Sequence, residues 1–73
     1  MNISLRGMVL DRYANITKFA HAIGWNRKKA SDIVNRRRRP SAQDMEEIAR
    51  VMDIRDDRTF MALFFNNQVH NVD

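Results

Sequence analysis

Two runs of cations, Arg27-Lys28-Lys29 and Arg36-Arg37-Arg38-Arg39, are the densest chemistry in this chain, and they start nine residues apart. Guanidinium and ammonium groups only donate hydrogen bonds, so their natural partners are oxyanions or acceptor-rich edges such as guanine O6 and N7. From Lys18 to Ser41 eight basic residues stand against Asp32 alone, a net +7, whereas Ala42 to Asp57 hold six acidic residues against Arg50 and Arg55, a net −4. The whole-chain charge of +4 hides this polarity. A fold that keeps the two segments apart has one strongly positive face, and that face attracts a polyanion.

Groups that make or break bonds are missing by comparison. The sequence holds no glycine-rich phosphate loop, no nucleophile with a base at a recognisable spacing and no cysteine. The expectation is therefore a binding protein rather than an enzyme, with no cofactor. His21 falls on an outward helix face and His70 in the tail, and without convergent carboxylates or thiolates no metal site is expected.

The elements that must position these cations come from a chain of 73 residues, enough for one small core. Its 44% apolar and 30% charged residues suit a folded, water-soluble unit. The longest apolar run, Phe60 to Phe65, is far too short to cross a bilayer. Absent cysteines, and an N-terminus Met1-Asn2-Ile3-Ser4 without a basic or apolar leader, lead to the expectation of a cytoplasmic protein with no membrane partner.

Periodicity predicts helices throughout, giving an all-α fold of five short helices. The first spans about Ser4 to Tyr13. The second opens at the N-cap Asn15, buries Ile16, Phe19, Ala20 and Ile23, and stops at Gly24. Asn26 caps the third, where Ala30, Ile33 and Val34 face inward and Asn35 ends the helix. Pro40 disfavours helix at Arg39, and Ser41 caps a fourth helix with Asp44 three residues on, burying Met45, Ile48, Ala49 and Met52. The last helix runs from about Asp57 to Asn66, and residues 67–73 read as a frayed, flexible tail. Residues 1–66 are thus one domain. Trp25 is expected to plug the core beside the turn, and Met45 and Met52 are core residues.

Two short helices, from about residue 15 to 36, joined by a glycine turn, the second with Arg, Lys and Asn on its outer face, describe a helix-turn-helix. Phe19-Ala20, Ile23-Gly24-Trp25-Asn26, Ala30, Ile33, Pro40-Ser41, Ile48-Ala49 and Met52 resemble the signature of the Cro and lambda-repressor-like (XRE-type) family of phage and bacterial transcriptional regulators. The likeness covers roughly Ser4 to Ile54. It implies a compact five-helix DNA-binding domain, symmetric dimers, palindromic operators and a third helix that reads the major groove. Ala20 is small so that the helices can approach, and Gly24 accepts a positive φ. Three positions depart from the pattern. Ile16 replaces a phosphate-holding glutamine, a role left to Asn15 or Thr17; Arg36 replaces a glycine, so Asn35 or Arg36 must take the left-handed turn; and Val9 replaces an arginine.

In a docked helix-turn-helix the first turns of the second helix point at bases. That makes Arg27, Lys28, Ser31 and Asp32 the candidate base readers. Arg27 and Lys28 suit guanine, and Asp32 either accepts from cytosine or pairs with Lys28 or Lys29 on its own helix. Asn15, Thr17, Asn26, Lys29, Arg36, Arg37, Arg38, Arg39 and the backbone N–H groups beside Ser41 are the candidate phosphate contacts, with a solvated loop as the alternative for the arginine run. Phe60, Phe64 and Phe65 offer more apolar surface than one small core covers, so part of it is expected to form a homodimer seam. The function these residues point to is a sequence-specific double-stranded-DNA-binding regulator, a Cro-like repressor or autoregulator with no small-molecule effector. The alternative is the same motif reused as a protein-binding module or inhibitor.

Overall fold

A computed structural model describes residues 4–72, with side chains described through Phe65. Among the described residues the chain is all-helical: α1 Leu5–Tyr13, α2 Ile16–Ile23, α3 Arg27–Val34, α4 Ala42–Val51 and α5 Asp57–Val72.

Local capping sets most of these boundaries. The Ser4 hydroxyl accepts from the Gly7 N–H at 3.0 Å to start α1, and a Cβ at Gly7 would stand 2.9 Å from that hydroxyl. Asn15 and Asn26 cap α2 and α3 by accepting from the Lys18 and Lys29 N–H groups, each at 2.8 Å. Gly24 ends α2 at φ 83°, as expected of the one turn that needs a left-handed residue without strain. Ser41 and Asp44 form a full capping box on α4. Of the two residues available to turn the chain after α3, Arg36 takes the positive φ, at 64°; Ala14 and Asp53 also hold positive φ, at 73° and 57°. α5 continues through Val72, past the end expected at Asn66, and so takes in most of the segment read as a frayed tail. Between Asn66 and Val72 there is no glycine or proline to stop it.

The core is Val9, Phe19, Ala20, Ile23, Ala30, Ile33, Val34, Ile48 and Met52. α2 is its hub, packing on α1, α3 and α4. The stripe predicted on α2 is buried apart from Ile16, which is half-buried at the rim; on α4, Ile48 and Met52 are buried while Met45 and Ala49 are half-buried. Ala20 is buried where α2 packs on α3, and its carbonyl accepts from both Gly24 at 2.9 Å and Trp25 at 3.0 Å, which closes the turn. Trp25 is half-buried there, edge-on to Phe19 with centroids 6.0 Å apart. The effect is to hold α3 rigidly across α2 while its other face stays in water.

Candidate nucleic-acid interface

That outer face begins at the first turn of α3. Arg27 and Lys28 are both exposed, as their sequence positions predict. Arg27 Nε donates to Thr17 Oγ1 at 3.0 Å, which joins an expected base reader to an expected phosphate contact. Lys28 Nζ lies 3.3 Å from Asp32 Oδ2 one turn on, and Arg37 Nη1 lies 3.6 Å from the other oxygen, Oδ1. The Asp32 carbonyl also accepts from the Arg37 and Arg38 N–H groups, at 2.8 and 3.1 Å. Asp32 thus pairs with Lys28, the other of its two expected roles, and it ties the arginine loop to the end of α3. Ser31 is half-buried, and its hydroxyl accepts from Asn35 Nδ2 at 3.2 Å.

The expected phosphate contacts divide. Arg36, Arg37, Arg38 and Arg39 are exposed along the loop, and Asn15, Asn26 and Ser41 are exposed with their side-chain oxygens engaged in caps. The Ser41 N–H, expected beside a phosphate, donates to Asp44 Oδ2 at 3.0 Å, so the capping box has already used it. Lys29 departs furthest from expectation. It turns away from the outer face, placing Nζ 3.0 Å from Asp44 Oδ1 and 4.5 Å from the Trp25 ring centroid. The reason is geometric: Lys29 precedes Ile33 by one helical turn, so the two share the side of α3 that meets the rest of the fold.

Asp44 gathers this inward network. Burial pushes its carboxyl up, but the Ser41 N–H, the Lys29 ammonium and the Ser41 hydroxyl outweigh that and hold it below the usual carboxylate range. Trp25 Nε1 donates to Glu47 Oε1 at 2.9 Å, tying the α2–α3 turn to α4.

One cation escaped the sequence reading. Arg6, exposed in the first turn of α1, donates from Nε to Asn35 Oδ1 at 3.1 Å and so joins the edge of the arginine loop. The two residues lie 29 positions apart, and nothing in the local spacing signals the meeting.

The aromatic surplus of α5 is partly used within the chain. Phe64 packs against the core, and Phe60 stacks tilted on Phe64 at 4.8 Å and on Phe65 at 6.5 Å. All three are half-buried, so a seam built from Phe64 has less free surface than expected, whereas Met61 next to them is 53% exposed. Among the described residues no cluster of His, Cys, Asp or Glu could hold a metal, and no helix is long and apolar enough to cross a membrane. No family model, curated protein or solved structure matches this chain.

Proposed function

We propose that this chain is a sequence-specific double-stranded-DNA-binding regulator whose α2–α3 pair serves as a helix-turn-helix of the Cro and lambda-repressor-like kind. The observation that carries the reading is a cationic surface: Arg27 and Lys28 are exposed at the first turn of α3, and Asp32 joins Lys28 to the arginine loop that follows. α3 enters the major groove, Arg27 and Lys28 donate to guanine O6 and N7, and Arg37 to Arg39 meet phosphates on the flank. Base contacts bring specificity, and loop contacts bring affinity and fix the register.

Two copies act together, through Met61, Phe60 and Phe65 of α5, on a palindromic operator, repressing by occupying the site that polymerase needs. Control then comes from the concentration of the protein, with a bacterial cytoplasm as its setting. Selection of bound sequences from a random duplex pool tests the whole reading. A palindrome with G·C pairs in each half-site is the expected result, with affinity falling steeply as salt rises because bound cations release counterions. Recovery of no preferred sequence, together with binding indifferent to salt, overturns it and leaves the protein-binding alternative.

A further inference from the structure

Beside the arginine loop, on the side away from the first turn of α3, lies a cleft of about 490 Å³ between the start of α1, the end of α3 and the middle of α5. Its volume is within the range of small-molecule sites, roughly 300–1,000 Å³. The floor is apolar, made by Leu5, Val34, Ala62, Leu63 and Phe64. The rim is the reverse: five arginines, Arg6 and Arg36 to Arg39, and among the described lining residues not one carboxylate.

Such a combination has a definite complement. A nucleic-acid phosphate satisfies the rim and leaves the apolar floor wet, and a neutral hydrocarbon does the opposite. Arg38 and Arg39 sharpen the demand, because among the described residues neither forms an ion pair or side-chain hydrogen bond. Arg37 is already half-satisfied by Asp32 at 3.6 Å. We infer that the cleft binds a small amphiphilic carboxylate: a hydrocarbon body against Leu63 and Phe64, and a head held by the paired donors of Arg38 and Arg39, whose planar forks match a carboxylate. The inference is independent of DNA binding, since it concerns the chain and the ligand alone. It also sets a cleft that three helices assemble against the expectation of no small-molecule effector.

The test uses decanoate, kept monomeric, titrated into the full chain by calorimetry beside acetate and decanol. Each buried methylene strengthens binding about fourfold, so even a half-buried tail makes decanoate on the order of 100-fold tighter than acetate. Loss of the charge-assisted head contacts makes decanol about tenfold weaker than decanoate. Ala62→Phe fills the floor and abolishes saturable decanoate binding. Because that variant changes a packed helix, Arg38→Gln/Arg39→Gln on the exposed loop supplies the second arm: decanoate weakens about tenfold while decanol is unmoved. Decanoate binding no tighter than acetate, binding that never saturates, or decanoate affinity unchanged in the double variant each overturns the inference.

Discussion

Lys28 and Lys29 are neighbours in sequence, and each is paired with an aspartate, yet they do opposite work. The Lys28–Asp32 pair spans one turn of a single helix at 3.3 Å, with side chains 87% and 21% exposed. The Lys29–Asp44 pair joins α3 to α4 at 3.0 Å, with side chains 26% and 10% exposed. Water screens the first, so its partner can be exchanged for another anion at little cost. The second is shielded, capped by Ser41 and roofed by Trp25, and it fixes the angle at which α3 is presented. A rotation of one residue around the helix thus separates a cation offered outward from a cation spent on architecture.

Stability should divide along the same line. Asp44→Ala removes the acceptor of both the Ser41 N–H and the Lys29 ammonium in a buried setting, and a loss of about 2–3 kcal/mol is expected in urea unfolding. Asp32→Ala breaks exposed pairs only and should cost about 0.5 kcal/mol. Equal losses in the two variants would end the distinction.

Binding sharpens it from the other side. Arg27→Ala should weaken cognate DNA by about 1–3 kcal/mol and relax preference at one base position, while Arg38→Ala weakens every sequence alike and lowers the salt slope by about 1. Lys29→Ala, measured on folded protein, should leave the salt slope where it was, since its ammonium already lies between Asp44 and Trp25. A slope that falls in Lys29→Ala as it does in Arg38→Ala returns Lys29 to the outer face.

How much of this was legible in the sequence follows from how local each cause is. The caps at Asn15, Asn26 and Ser41 and the stop at Gly24 are written within three or four residues, and each appears where its residue types put it. The core stripe on α2 is equally local, because helical period alone decides which residues share a face. Lys29 was legible and passed over: its spacing from Ile33 puts it on the inward stripe, but a charge run invites reading as one patch. Arg6 beside Asn35 and the cleft against α5 depend on how helices cross, which no local pattern encodes.

Acid should act on the two pairs unequally. In the unfolded chain the Asp44 carboxyl titrates near its ordinary value of 3.8, and in the fold it titrates lower. The stability it supplies is therefore fully present above that value and disappears as pH falls through the lower folded one. Asp56, held down by the Thr59 N–H, titrates in the same direction, so the wild-type acid limb has at least two contributors. Asp44→Asn should flatten that limb without erasing it, in thermal midpoints followed from about pH 5 to pH 2. A limb as steep in the variant as in the wild type removes Asp44 from the account.

The smallest expected effect joins the two regions at one residue. Arg36 holds φ 64°, a conformation that costs an L-residue roughly 1–2 kcal/mol, directly after the helix that carries Lys28 and Lys29. Glycine removes that cost but adds freedom to the unfolded chain, worth about 0.4–1 kcal/mol in the other direction. Relief of the turn is therefore worth about 0.5 kcal/mol, or about 3 °C in the thermal midpoint for a domain of this size, and Arg36→Gly shows it net of the interaction that the Arg36 side chain makes within the fold. The same change deletes one cation from the loop, so DNA affinity should fall at low salt with sequence preference intact. A gain in stability with a loss in binding means the chain keeps an arginine in a strained turn for what it contacts outside the fold. A lower thermal midpoint in the glycine variant would instead place Arg36 with Lys29, among the cations whose work is structural.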